Sequence, residues 1–302
     1  MKCKRCKATA AVALPSHHAG FCEECYDLFF TRQVEKGIRR QKLLTFEDRV
    51  LVALSGGKDS LALMLVLSKL GYNVTGLHID LAIPGSSPVA RGVVERFCHK
   101  HGFKLIVKEM AEEGLAIPLV KARLNRPVCS ACGKIKRYFF NKTALDEGYT
   151  VLATGHNLDD EIARLFSNTL RWDIAYLSDQ GPALPAEGGF ARKIKPLYRL
   201  SEFETANYSF LQGIEYHYAP CPYSQGASFT QYKKLWADLE DQMPGRKLDF
   251  YLGFLERGKE IFARHEQTHG DQLQPCERCG YPTSAEVCGV CRIREAVSRD
   301  DG

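Results

Sequence analysis

A chain of 302 residues is long enough to bury one sizeable core and to carry smaller appendages. With 45% hydrophobic and 25% charged residues it has the composition of a globular enzyme, which excludes fibrous and wholly disordered classes. No apolar run approaches the length of a membrane-spanning helix, and a net charge of +5 permits a nucleic-acid partner without requiring one.

The N-terminal stretch holds two Cys-x-x-Cys pairs, Cys3 with Cys6 and Cys22 with Cys25. Two such knuckles supply four thiolates, the set that closes a tetrahedron around Zn2+. Residues 1–27 are therefore expected to form a zinc-binding module, with His17 and His18 as spare donors that a complete cysteine set does not need. The basic start and the run Ala8-Thr9-Ala10-Ala11-Val12-Ala13-Leu14 loosely imitate a signal peptide. That reading fails because the run is Ala-dominated, stops at Pro15 and lies between the cysteine pairs, so a cytoplasmic protein is expected. Next comes a leading basic helix in which Arg32, Lys36, Arg39, Arg40 and Lys42 face only Glu35; an ordinary solvated face reads the same way.

A catalytic domain is expected over residues 28–270. Residues 49–54 read as a buried strand, Ser55-Gly56-Gly57-Lys58-Asp59-Ser60 as a glycine turn, and residues 61–70 as an apolar helix ending at Gly71. Together they make a phosphate-binding arrangement. The glycines let the backbone approach an anion, the helix start offers free N–H groups, and Lys58 and Ser60 add donors. This is not the Gly-x-x-x-x-Gly-Lys-Ser/Thr loop of kinases and GTPases. Ser-Gly-Gly-x-Asp-Ser resembles instead the pyrophosphate-binding loop of the ATP-pyrophosphatase superfamily, whose members adenylate an oxygen atom and release pyrophosphate.

Residues 73–79, 104–107 and 150–154 read as further strands that alternate with helical stretches such as 88–101, where Cys98 is expected to be a small buried hydrophobe. The alternation implies an α/β fold with a doubly wound parallel sheet. Ligands of such sheets sit beyond the strand C-termini, on a rim that gathers Ser55 to Ser60, His78 to Asp80, and Gly155-His156-Asn157. A helix over 158–170 opens with Asp159, Asp160 and Glu161, which either complement its dipole or hold Mg2+ beside a triphosphate.

Residues 115–145 carry Lys121, Arg123, Arg126, Lys134, Lys136, Arg137 and Lys142 with no acidic residue. Within them, Cys129-x2-Cys132 finds no second pair, and Cys221, between Pro220 and Pro222, is the remaining thiol. Three thiolates suggest an incomplete shell. A [4Fe-4S] cluster with one open iron, a redox disulfide and a catalytic thiol all satisfy the spacing. At the C-terminal end, residues 271–302 hold Cys276, Cys279, Cys288 and Cys291, a second expected zinc-binding module with Gly280 just past the second thiolate. His265 and His269 are spare donors beside it. Disulfides are the alternative at both quartets, disfavoured by the lack of a credible export signal and by a chain long enough to fold without staples.

Together these residues resemble the TtuA group of tRNA 2-thiouridine synthetases over nearly the whole chain. The likeness rests on the cysteine pairs at 3 to 25, Ser55 to Ser60, His78-Ile79-Asp80, Cys129-Ser130-Ala131-Cys132-Gly133 followed by Lys136-Arg137-Tyr138, and Gly155-His156-Asn157-Leu158-Asp159-Asp160-Glu161. It continues through Lys193-Ile194-Lys195-Pro196-Leu197, Pro220-Cys221-Pro222 and the C-terminal quartet. The resemblance implies a [4Fe-4S] cluster on Cys129, Cys132 and Cys221, two zinc sites, a homodimer, and sulfur delivered by a ubiquitin-like carrier with a C-terminal thiocarboxylate. It also implies ATP and Mg2+ at Ala53, Ser55, Gly56, Gly57, Lys58, Asp59, Ser60, His78, Ile79, Gly155 and Asp160. Asp59, Lys136 and Asp160, with the three cysteines, match residues implicated in the chemistry around ATP and tRNA. Two departures stand out: the stretch Asp80-Leu81-Ala82-Ile83 lacks the glycine expected two residues after the aspartate, and Trp172 stands where wobble-uridine relatives commonly carry glycine.

The expected reaction transfers AMP to the uridine C2 oxygen, a poor leaving group until activated, and sulfur then displaces it. Lys58 and the glycine amides would hold the phosphates, Asp59 or Asp160 the magnesium, and Lys136 the charge developing in the transition state. Lys121, Arg123, Arg126, Arg137, Lys193 and Lys195 would position the tRNA backbone. The uridine at T-loop position 54 is favoured over wobble position 34. A sulfur-independent ligase sharing the loop, and a zinc-bearing nucleic-acid-binding or redox-sensing protein in which the nucleotide loop is regulatory, are the other readings.

Overall fold

The computed structural model describes residues 1–124, 127–224, 228–266 and 273–298. Arg126 and His269 lie outside the described residues, as does the side chain of His265. A small hairpin of β1 (Val12–Leu14) and β2 (Ala19–Phe21), joined by a 3-10 turn over Pro15–His17, opens the chain. The Ala-rich run that imitates a leader is thus partly a strand. Helix α1 (Glu23–Gln41) follows, with Glu23 and Glu24 in its first turn and Arg39 and Arg40 in its last, the charge order that complements a helix dipole. Tyr26, Phe30, Val34 and Ile38, spaced by four, form its buried stripe.

The central sheet runs β5-β4-β3-β6-β8-β7, built from β3 (Arg49–Ala53), β4 (Asn73–Asp80), β5 (Lys104–Glu109), β6 (Val151–Thr154), β7 (Ala183–Leu184) and β8 (Arg192–Ile194). All pairings are parallel except that of β7 with β8. The parallel strands are linked through α2 (Lys58–Lys69), α3 (Ser87–His101), and α4 (Ile117–Arg123) with α5 (Val128–Asp146). The strand period of two divides the core: Val50 and Val52 of β3 face one side with α1 and α2, while Leu51 and Ala53 face the other with α4 and α5. The α2 segment Leu61 to Leu67 is buried all round, and each such Leu or Val contributes roughly 1.5–3 kcal/mol to the fold. Cys98 is buried in α3, as expected.

Beyond β6 come α6 (Leu158–Arg171), α7 (Ile174–Ser178), α8 (Glu202–Leu211), α9 (Ser228–Gln242), α10 (Arg246–Gly253) and, after a π-helical turn at Phe254–Gly258, α11 (Lys259–Glu266). The strands β9 (Gln274–Pro275) and β10 (Pro282–Thr283) with α12 (Gly289–Ser298) end the described chain. This last module packs on the α5 side of the sheet: Cys276, Cys288, Val290 and Ile293 share a core with Ala131, Ile135 and Tyr138 of α5, and the Tyr138 and Tyr281 rings lie 4.7 Å apart. No helix among the described residues is long and apolar enough to cross a membrane.

The two departures from the expected pattern fall at backbone positions that suit glycine. Ala82 has φ 55° and Trp172, the C-cap of α6, has φ 50°. Each is a left-handed conformation that costs a residue with a Cβ about 1–2 kcal/mol.

Candidate active site

The turn after β3 is bonded to itself. Ser55 N–H donates to Ser60 Oγ at 3.1 Å, Gly57 N–H to Ser55 Oγ at 3.2 Å, and Ser60 Oγ to the Gly57 carbonyl at 3.0 Å. Gly56 holds φ +82°, and a Cβ there would press within 3.0 Å of the Ala90 carbonyl of α3. At Gly155, after β6, a Cβ would meet Ser60 N at 2.8 Å, so the β6–α6 turn rests directly on the start of α2. Glycine at these two points lets α3 and the β6–α6 turn close in on the start of α2.

That rim opens into a cavity of about 450 Å³. Ala53, Ser55, Gly57, Ser60, His78, Ile79 and Gly155 line one part of it; Cys132, Lys136 and Cys221 line another. His78 donates its Nδ1–H to the Leu54 carbonyl at 2.8 Å, burial keeps the ring neutral, and buried Nε2 has no partner in the structure. An imidazole in that tautomer offers an acceptor to a bound ligand. Thr154, His156 and His217 also line the cavity, and no motif reasoning singled out the last. The His217 N–H donates to the Gly56 carbonyl at 2.8 Å, which ties the segment that carries Cys221 to the glycine turn.

Behind the turn lies an ion-pair cluster. Lys58 bonds Asp59 and Glu202, both at 3.0 Å; Lys233 bonds Asp160 at 2.6 Å and Glu202 at 3.2 Å. Asn157 caps α6 in a reciprocal box with Asp160 and donates its Nδ2 to Asp59 at 3.0 Å. Burial raises the Asp59 carboxyl, with the Asp160 charge adding to it against the pull of Lys58 and Asn157. The three acids that open α6 separate into different roles. Asp159 is buried against Lys247 and the Glu202 N–H, and Glu161 is buried against Lys195 and Tyr251, so Asp160 alone stays at the accessible side.

Lys195, expected on the tRNA backbone, is instead 8% exposed and committed to Glu161 at 2.8 Å. A charge read from sequence carries no record of the partner that folding brings to it. Lys193, its neighbour, is lowered to about 8 by burial and by the charges of Lys195, Arg137 and Arg164. His156, which meets Thr154 Oγ1 at 2.8 Å, is lowered to about 3 by burial and by Lys193 and Lys195. His17 bonds Glu204 at 2.9 Å and is not a spare metal donor.

The cysteines divide by geometry. Sulfurs of Cys3, Cys6, Cys22 and Cys25 all lie within 4.8 Å of one another, and so do those of Cys276, Cys279, Cys288 and Cys291. Cys6 and Cys22 are 3.5 Å apart and Cys279 and Cys288 3.7 Å, close to the roughly 3.8 Å edge of a tetrahedron with metal–sulfur bonds of about 2.3 Å. Backbone N–H groups, chiefly that of Cys6, lower Cys3 to about 6. Burial and neighbouring thiols push Cys25 up to about 12. Four crowded thiols cannot all ionise unless a cation joins them, so the donor set fits a metal.

Cys129, Cys132 and Cys221 form no such tight group. Cys132 is raised by burial and by the charges of the other two thiols, with Lys136 opposing, and Cys132 and Cys221 line the same cavity. Cys129 donates to the Tyr223 carbonyl at 3.2 Å, and Lys121 sits 4.4 Å above the Tyr223 ring. A polynuclear cluster, which separates its ligands more widely than one ion does, fits three thiols that are not gathered within 4.8 Å of one another.

Comparison with known proteins bears on the chain as a whole. The PP-loop domain family matches residues 29–221, and the N-terminal LIM domain of the 2-thiouridine synthetase TtuA matches residues 2–27. The chain is 45% identical to a tRNA-5-methyluridine(54) 2-sulfurtransferase of Thermus thermophilus, over 99% of this chain and 92% of that one. It is 41% identical to the protein of the same name in Pyrococcus horikoshii, over 97% and 93%. The structure of the U34-tRNA thiolase NcsA from Methanococcus maripaludis, with its [4Fe-4S] cluster, matches at TM-score 0.81 and 27% identity, over 98% of this chain and 96% of that one. With its nucleotide turn, its paired cysteine groups and these full-length relatives, the chain belongs to the TtuA family of PP-loop 2-thiouridine synthetases.

Proposed function

We propose that the protein is an ATP-dependent tRNA sulfurtransferase that replaces the C2 oxygen of the 5-methyluridine at position 54 by sulfur, the activity that its relatives at 45% and 41% identity are named for. The observation that carries the reading is the shared cavity: the nucleotide turn, the Cys132 and Cys221 thiols and Lys136 border one space. A sulfur-independent ligase has no use for thiols there, and a sensor with a regulatory nucleotide loop does not need its thiols and its turn to border one cavity.

In this reading Lys58, the Gly56 amide and the amides of the first turn of α2 receive the phosphates, and Asp59 and Asp160 take the magnesium. The uridine O2 attacks the α-phosphorus, pyrophosphate leaves, and the C2–O bond to AMP breaks as sulfur forms its bond to C2. Lys136 faces the charge that develops at these steps, where a fixed cation in a recessed site stabilises the transition state without reorganisation. Cys129, Cys132 and Cys221 would hold a [4Fe-4S] cluster whose iron without a protein thiolate supplies a docking point for the transferred sulfur. The two cysteine quartets would hold zinc, which organises both ends of the chain. Exposed Lys121 and Arg137 with half-buried Lys193 supply cations for the tRNA backbone. A homodimer, a thiocarboxylated ubiquitin-like sulfur carrier and a cytoplasmic setting complete the proposal.

Deletion of the gene and fragment mass spectrometry of tRNA test it. Loss of 2-thiolation from T-loop fragments is expected; loss confined to anticodon fragments would assign the wobble uridine instead.

A further inference from the structure

The cation that closes the cluster behind the turn comes from outside the residues matched to the PP-loop domain, 29–221. Lys233 sits on α9, which is held against α6 by the Phe166 ring packed edge-on to Tyr232 and Trp236 at 5.7 and 6.1 Å. Its ammonium reaches Asp160 Oδ1 at 2.6 Å and Glu202 Oε2 at 3.2 Å, while Lys58 takes Glu202 Oε1 at 3.0 Å. One carboxylate therefore holds two lysines side by side at the start of α2.

Every oxygen of the two metal-assigned acids is occupied. Asp59 Oδ1 accepts from Asn157 Nδ2 and Oδ2 from Lys58; Asp160 Oδ2 accepts from the Asn157 N–H and Oδ1 from Lys233. Three carboxylates and two ammoniums sum to a charge of −1. A dication bound on its own would have to join acids that already hold two cations, and would leave the cluster net positive. A magnesium–phosphate complex solves both problems: the metal takes the carboxylates and the phosphate oxygens take the released ammoniums.

We propose that Lys233 is a phosphate-positioning residue of the nucleotide site, stored on Asp160 and Glu202 until magnesium-bound nucleotide exchanges it from carboxylate to phosphate. The proposal rests on the assignment of Asp59 and Asp160 to magnesium. Lys233 suits the task because an ammonium that bridges two carboxylates can exchange them for phosphate oxygens without changing its charge. Its side chain also keeps 30% exposure, enough to swing toward an arriving anion. No bond is made or broken in the exchange.

Equilibrium binding of inorganic pyrophosphate, with and without Mg2+, and of AMP to the anaerobic holoenzyme tests this. Lys233→Ala should weaken magnesium pyrophosphate about ten-fold or more, as loss of a charge-assisted hydrogen bond does, and leave AMP within about two-fold. Lys233→Arg should restore most of the loss. Glu202→Gln, which removes the storage partner, should tighten pyrophosphate in the absence of metal. Parental pyrophosphate affinity in Lys233→Ala, or equal loss of pyrophosphate and AMP without rescue by arginine, would overturn the proposal. Asp160→Asn separates the two assignments: an unchanged magnesium requirement in that variant removes the metal role, while the pyrophosphate loss of Lys233→Ala stands or falls on its own.

Discussion

At both ends of the chain four cysteine sulfurs gather within 4.8 Å, whereas in the middle Cys129, Cys132 and Cys221 stay apart and two of them border the nucleotide cavity. The same Cys-x2-Cys spacing begins each group. What differs is what the fold brings to it: at the ends a second knuckle at the start of the helix that follows a short hairpin, and in the middle one thiol from a segment tied to the glycine turn. A closed set of four suits a structural metal, and a set open toward a cavity suits chemistry. The comparison also teaches that the two quartets are not equivalent. The N-terminal one adjoins β1, β2 and α1, while the C-terminal one shares a core with Ala131, Ile135 and Tyr138 of the helix that carries Cys129 and Cys132.

The largest effect should come from opening the middle group further. Cys221→Ala is expected to lose the cluster iron and all thiolation while retaining its zinc, as iron, sulfide and zinc analysis of anaerobic protein would show; retained iron would break the comparison. Next, Cys276→Ser and Cys3→Ser should each lose metal from one quartet and several kcal/mol of stability, since metal binding energy is folding energy in such modules. Cys276→Ser should additionally speed hydrogen exchange in α5, and Cys3→Ser should not.

A smaller effect concerns the rim between the two kinds of site. His156 is depressed to about 3 in the fold, against about 6.5 unfolded, so the unfolded chain binds the extra proton between those values. Stability should therefore fall as pH drops from about 6.5 toward 3, by up to about 1.4 kcal/mol per pH unit from this group. Urea titrations at several pH values should show a shallower slope in His156→Gln. Smallest of all, Ala82→Gly should gain about 0.5–1 kcal/mol by relieving the left-handed backbone at φ 55°. A loss would show that the Cβ makes contacts worth more than the strain.

Much of this was legible in the sequence because it is local. The strand–turn–helix at 49–70 and the cysteine spacings each lie within one short window, where periodicity and turn chemistry act. The partners of the acids were not legible. Glu202 and Lys233 meet Lys58 and Asp160 across more than 40 residues, through helices whose mutual packing no local pattern encodes. Lys195 misled for the same reason: its Glu161 partner arrives only when β8 pairs with β6. His217 escaped because its role depends on a main-chain bond to Gly56, and a main-chain bond leaves no mark on residue type.

Anomalous scattering at the iron and zinc edges, from crystals grown without oxygen, tests the central division most directly. The account predicts iron among Cys129, Cys132 and Cys221 and zinc at both quartets. Zinc among the three, with no iron there, would contradict it.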